Sequence, residues 1–233
     1  MKIALLGYGR MGKEIEKIAL QRGHKIVLKA TTETNYDISK ADVAIDFSIP
    51  QAAFDNISNC FRNKVPVISG TTGWLEKYDD VVTLCKNENG SFIYASNFSL
   101  GVNIFFELNV QLAKLMNSLD DYSVSMEEIH HVKKLDAPSG TAITLANGII
   151  ENSSKTVWEL DSMSSESTIP IKAKRIPEVP GTHTVSYKSD IDTIEIRHAA
   201  HNRKGFALGA VIAAEWLQNK KGVFTMKDVL NIR

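Results

Sequence analysis

Residues 127–142, EEIHHVKKLDAPSGTA, place two adjacent histidines, two lysines and a Pro-Ser-Gly-Thr turn within one short stretch. An imidazole titrates near neutral pH, so His130 or His131 qualifies as a general acid. Lys133 and Lys134 add positive charge, and the Lys134 ammonium can donate to a carboxylate. Pro138 followed by Ser139 predicts a helix start with Ser139 as its N-cap. Ala142, Leu145, Ala146, Ile149 and Ile150 continue it at helical spacing. The first-turn N–H groups of Ser139, Gly140 and Thr141 would then be free to bind an anion. Paired histidines alone fit a solvated loop. With cations and a helix start beside them, they read as a carboxylate cradle with a proton donor.

A second chemical signal opens the chain. LLGYGRMGKE sets Gly7, Gly9 and Gly12 in a GxGxxG pattern, with Tyr8, Arg10 and Met11 between them. Gly7 permits a sharp turn, Gly9 lets backbone approach a pyrophosphate, and Gly12 allows close helix packing. The motif is weak alone and gains weight by following a predicted strand and opening a helix. Two later strand ends are of the same kind: Gly70, Thr71 and Thr72 in VISGTTG, and Ala95, Ser96, Asn97 and Phe98 in IYASNFS. In doubly wound sheets ligands lie beside such carboxyl ends. DFSIP, residues 46–50, is a third. At the end of the second strand, Glu33 would favour the ribose hydroxyl of NAD, whereas Lys29, Thr31 and Thr32 would tolerate the 2′-phosphate of NADP. The residues leave NADH and NADPH both open.

Elements that position these groups follow from periodicity. KIALLG, HKIVLKA, DVAIDFS, VPVISG and SFIYAS read as buried strands, most separated by helical patterns such as PQAAFDNISNCFRN, with Pro50 at a helix start. That alternation predicts a parallel sheet covered on both faces. Beyond Ser99 come a long amphipathic helix, LGVNIFFELNVQLAKLM, and alternating strands DYSVSMEE, GTHTVSYKS and DTIEIRHAA, which suit a sheet with one buried face. Residues 151–167 read as a surface loop or variable helix-loop, and GFALGAVIAAEWLQNK as an apolar helix returning to the first sheet. The fold class expected is α/β, a Rossmann-like dinucleotide-binding domain (1–98 and 204–233) plus a central α+β domain with an open mixed sheet (99–203).

Composition narrows the classes. The 233 residues carry 27 basic and 27 acidic groups, so no net field draws nucleic acid or a membrane surface. Cys60 and Cys85 form no CxxC pair, which argues against a zinc site or a disulfide framework. No apolar run reaches the length of a membrane span. The expectation is a soluble cytoplasmic protein without a metal. The HxxH pair His198 and His201 has no evident partner ligands, His183 reads as a hydrogen-bonded sheet histidine ahead of one that approaches the active site, and Arg203 fits equally a role in positioning substrate or cofactor and a surface role.

The run ExHHxxKxDAPSGT, residues 128–141, closely resembles the signature of the 4-hydroxy-tetrahydrodipicolinate (dihydrodipicolinate) reductase family. DFSIP, SGTTG, ASNFSLGVN, HAAHNRKGFALGAVIAAEWL and KGVFTMKDVL resemble that family in the same order, so the likeness covers nearly the whole chain. It implies a homotetrameric NADH- or NADPH-dependent reductase of lysine and diaminopimelate biosynthesis, acting on a cyclic imine dicarboxylate. It further implies that His130 donates or accepts the proton and Lys134 is a second proton donor. His131, Gly140 and Thr141 would hold the substrate carboxylates, with Ser139 at the same helix start. The cofactor would lie over Gly7, Gly9 and Gly12, residues 70–72 and residues 95–98. The glycine loop, GYGRMG, is one residue shorter than the family often has, and the second strand lacks the acidic-basic pair of some members. Other classes compatible with the residues are a non-catalytic NAD(P) sensor and a dehydrogenase of another small dicarboxylate.

Overall fold

The computed structural model describes residues 1–31, 36–202 and 204–232. The chain divides into two compact units, Met1–Leu100 with Lys204–Arg233, and Gly101–Arg203.

In the first unit, strands β1 (Lys2–Leu6), β2 (Lys25–Ala30), β3 (Val43–Asp46), β4 (Val67–Ser69), β5 (Ser91–Tyr94) and β11 (Gly222–Phe224) form one sheet in the order β11-β5-β4-β3-β1-β2. Every pairing is parallel. The inner strands β1, β3, β4 and β5 read as apolar runs because both their faces are covered, whereas the edge strand β2 alternates with exposed residues. Ile3, Leu5, Ile45, Ile68 and Ile93 join a core with helices α1 (Arg10–Gln21) and α6 (Lys204–Leu217). Ala4, Leu6, Ala44, Val67 and Phe92 face α2 (Pro50–Arg62) and α3 (Tyr78–Asn87) on the other side. Strand order reverses between β1 and β3, so the carboxyl ends of these two strands flank the topological switch point where such sheets bind ligands.

The second unit carries most of α4 (Leu100–Met116), then β6 (Ser123–His130), α5 (Gly140–Ile150), β7 (Val157–Leu160), β8 (Thr168–Arg175), β9 (Gly181–Lys188) and β10 (Thr193–Ala200). Its sheet is mixed, in the order β10-β9-β6-β8-β7. One face is packed: Val124, Met126, Ile171, Val185 and Tyr187 form a core with Phe105 and Ala113 of α4 and Leu145 and Ile149 of α5. On β6 and β9 the intervening Ser125, Glu127, Thr184 and Ser186 point to the open face.

Two of these strands differ from the sequence reading. Residues 151–167, read as a loop, contain the short edge strand β7, which pairs on one side only with β8. β8 itself hides behind Pro170 and two lysines, residues that ordinarily argue against an interior strand. Pro170 lies opposite Glu159 of β7.

Candidate active site

The glycine loop bridges β1 and α1, with the Gly7 N–H donating to the Ala30 carbonyl at 3.0 Å. Gly7 has φ +93°, and a Cβ there would lie 2.1 Å from the Phe47 carbonyl oxygen. A Cβ on Gly12 would lie 2.4 Å from the Gly7 oxygen. Both glycines are therefore required by packing. Gly9 differs: nothing lies within 4 Å of the place its Cβ would take. It caps α1 without a side-chain hydrogen bond, leaving the first-turn N–H groups of Arg10, Met11 and Gly12 for a ligand. Open space before a helix start of twelve residues fits a pyrophosphate.

The neighbouring strand ends are organised by Asp46, which is fully buried. Its carboxylate accepts from Ser48 Oγ (2.6 Å), Ser69 Oγ (2.8 Å), Thr71 Oγ1 (2.8 Å) and Asn56 Nδ2 (3.1 Å). Burial pushes its pKa up, and the four donors oppose that. Thr71 is thus a buried brace, also accepting from the Ser48 N–H at 2.9 Å, while Thr72 is exposed. Ser96 is exposed, Asn97 Oδ1 accepts from the Ser99 N–H at 2.9 Å, and the Phe98 side chain is core. Only the Phe98 backbone is left to meet a ligand. At the end of β2, Lys29 lies 2.5 Å from Glu16 and 4.7 Å from the Tyr8 ring centroid; Tyr8 also donates to Glu16. Thr32, Glu33 and Arg203 lie outside the described residues.

In the second unit the alternation of β6 puts Val124, Met126, Glu128 and His130 on the covered face. His130, the last residue of the strand, is 7% exposed, and His131 is half-buried in the following loop. The loop returns through Ser139, whose Oγ accepts from the Ala142 N–H at 3.2 Å and so caps α5. Helix geometry leaves the Gly140 and Thr141 N–H groups without an intrahelical carbonyl. No atom lies within 4 Å of a Cβ built on Gly140. The helix start that Ser139 caps thus opens onto free space at Gly140.

Lys134 does not point free into solvent. Its ammonium donates to both oxygens of Asp136 at 2.7 Å. Arg175, at the end of β8, ties the loop down by donating to the carbonyls of Asp136 (2.7 Å) and Lys134 (3.3 Å) and to Glu128 Oε1 (3.3 Å). Glu128 is fully buried; its Oε2 accepts the Ser139 N–H at 2.9 Å and lies 3.7 Å from both His130 Nδ1 and His183 Nε2. Burial works against its ionisation. The neighbouring His183 ring and the Ser139 donor outweigh it and hold Glu128 down to about 2. Burial lowers His130 to about 4, with Glu128 pulling the other way. Glu128, His130 and His183 also form the one cluster of three metal-capable groups among the described residues, with ligand atoms within 4.8 Å of one another. The Arg175 guanidinium on the same carboxylate disfavours a cation there.

Comparison with known proteins decides the family. Residues 101–230 match the model of the dihydrodipicolinate reductase C-terminus and residues 26–98 that of its N-terminus. The chain belongs to the dihydrodipicolinate reductase family. A 4-hydroxy-tetrahydrodipicolinate reductase of Christiangramia forsetii is 61% identical over 99% of this chain and 98% of its own. One from Thermosipho africanus is 33% identical over 99% and 98%. The fold agrees with a dipicolinate-bound dihydrodipicolinate reductase from Paenisporosarcina sp. TG-14, with TM-score 0.81, 23% identity, and 100% and 99% of the two chains covered.

Asp136 and Glu128, both inside the quoted signature, and Arg175, outside it, were not singled out in the sequence as site residues. Continuing the alternation Val124, Met126 by two steps reaches Glu128 and His130 and would have exposed the first. Arg175 left no signal, since its strand was itself disguised.

Proposed function

We infer that this chain is the NAD(P)H-dependent reductase converting 4-hydroxy-tetrahydrodipicolinate, which loses its hydroxyl as water before the conjugated imine is reduced, to tetrahydrodipicolinate in lysine and diaminopimelate biosynthesis. Family membership over both halves of the chain carries the activity. The residue assignment is carried by one observation: an open helix start at Gly140 and Thr141 that shares its loop with Lys134 and its supporting carboxylate with His130.

The unit of residues 1–98 and 204–233 binds the dinucleotide. NADH or NADPH, when bound, supplies the hydride. Gly9 admits the pyrophosphate to the α1 helix start, where Arg10, Met11 and Gly12 offer N–H groups. Gly7 and Tyr8, Gly70 to Thr72, and Ala95 to Phe98 line the same strand ends, with Thr71 and Phe98 acting through backbone. Residues 99–203 bind the substrate. The N–H groups of Gly140 and Thr141, the Ser139 cap and His131 hold its carboxylates, and Lys134 leaves Asp136 to meet one of them. His130 relays the proton that neutralises the enamine formed by reduction. Lys134 stabilises charge developing on the ring and serves as a second proton donor.

The same unit assembles the homotetramer through its open sheet face, which bears a groove of about 860 Å³ lined by Ser125, Glu127, Lys172, Ser186, Glu195 and Arg197. The enzyme works in the cytoplasm, consistent with two buried free thiols and no helix, among the described residues, long and apolar enough to cross a membrane. The decisive experiment follows NAD(P)H absorbance on adding freshly generated 4-hydroxy-tetrahydrodipicolinate. Absence of oxidation with either cofactor would refute the activity. Sedimentation velocity showing only monomers would refute the assembly.

A further inference from the structure

We propose that Glu128 is a positioning residue that couples the anion cradle to the proton-transfer histidine, fixing His130 with a proton on Nδ1 so that Nε2 exchanges the proton with substrate. This rests on the reading of His130 given above.

Three observations converge. First, His130 Nδ1 is sealed from solvent and has no hydrogen-bond partner; the charged atom beside it is Glu128 Oε2 at 3.7 Å. A buried N–H pointing at a carboxylate is stabilised there, whereas a bare lone pair would be repelled. The neutral tautomer carrying its proton on Nδ1 therefore wins. Second, the other nitrogen, Nε2, lies beside Gly181 of β9, where a Cβ would come within 3.1 Å of it. Glycine keeps a side chain off that edge of the ring. Third, the Oε2 that faces His130 also takes the Ser139 N–H at 2.9 Å, so one oxygen sets both the helix start and the imidazole.

The rest of the cluster keeps that carboxylate in place. His183 stands directly opposite Glu128 in the β6–β9 register and meets Ser139 Oγ through Nε2 at 3.0 Å. Its ring stands nearly edge-on to that of His130, with centroids 5.0 Å apart. Arg175 holds Glu128 Oε1. The charged and titratable groups bearing on His130 are thus Glu128, which favours its imidazolium, and His183, Lys134 and Arg175, which oppose it. Proton balance is simple. The resting neutral ring, with its proton on Nδ1 facing Glu128, takes a proton from solvent on Nε2, passes that proton to the enamine carbon, and returns to the neutral Nδ1–H form.

The test compares the parent enzyme with Glu128→Gln, Glu128→Asp and His130→Gln. Glu128→Gln is expected to lower kcat by about tenfold or more and to move toward acid the pH limb that His130→Gln removes. Glu128→Asp, which keeps the charge, should restore part of both. A folded Glu128→Gln enzyme with parental kcat and pH profile would overturn the proposal. If His130→Gln still abolishes turnover in that case, the reading of His130 survives without it; parental turnover in His130→Gln overturns both. Should Glu128→Gln fail to fold, ¹⁵N-histidine NMR of the parent decides. The signal absent from His130→Gln should show the neutral ring protonated on Nδ1, and protonation on Nε2 refutes the proposal.

Discussion

Gly9 and Gly12 lie three residues apart in one motif, yet the structure gives them opposite tolerances, and substituting each by alanine separates cofactor binding from folding. At Gly12 the new Cβ meets the Gly7 carbonyl oxygen at 2.4 Å. An ordinary C···O approach is roughly 3.3 Å, so the backbone must yield by almost an ångström. Overpacking of this kind costs about 1–3 kcal/mol. For a chain of this size that corresponds to a loss of roughly 3–10 °C in Tm. At Gly9 the Cβ enters empty space, and φ −81° suits any residue. The cost is limited to exchanging glycine for alanine at an N-cap, at most about 1 kcal/mol. The methyl group stands where the pyrophosphate must approach, so binding should weaken about tenfold, or about 1.4 kcal/mol. Thermal melts and NAD(P)H fluorescence titrations of both variants supply the readout. A Gly9→Ala protein that binds cofactor as tightly as the parent, or a Gly12→Ala protein of unchanged Tm, would refute the reasoning for that glycine.

His130→Gln should lower kcat by a factor of about 100 or more while KM changes little; unchanged turnover in steady-state assays removes His130 from the chemistry. Lys134→Ala should raise KM and lower kcat together, because its ammonium serves binding and charge stabilisation alike, and full activity would defeat that assignment. Stability should fall on acidification. Burial depresses His130 to about 4 from an ordinary 6.5, so the unfolded chain binds more protons between those values. The penalty grows to about 3 kcal/mol as pH falls from 6.5 to 4. Glu128, held down to about 2, adds stability above pH 4.5 that is lost progressively below it. Urea melts should show the first slope reduced in His130→Gln; an identical slope in both proteins refutes it.

Local pattern carried most of the architecture. Apolar runs and helical spacing give the parallel sheet, and the Pro138-Ser139 start of α5 was visible because capping is local chemistry. β7, β8 and β11 were not, for they are held by neighbours distant in the chain rather than by periodicity of their own. The same holds within the site. His130, Lys134 and the helix start sit in one contiguous signature. Asp136, also inside it, shows its part only once Lys134 is seen to rest on it. Arg175 reaches that loop from a strand more than thirty residues later. Phe98 illustrates the converse: a residue in the right motif whose side chain belongs to the core.

Asp46 has a consequence for how variation accumulates around the strand ends. Ser48, Asn56, Ser69 and Thr71 come from three separate stretches of chain but share one acceptor, so losing any of them reassigns the lone pairs available to the others. Their effects should then be non-additive, with a second replacement costing a different amount once the first has been made. Drift at these four positions should occur in concert, and double-mutant cycles would measure the linkage directly.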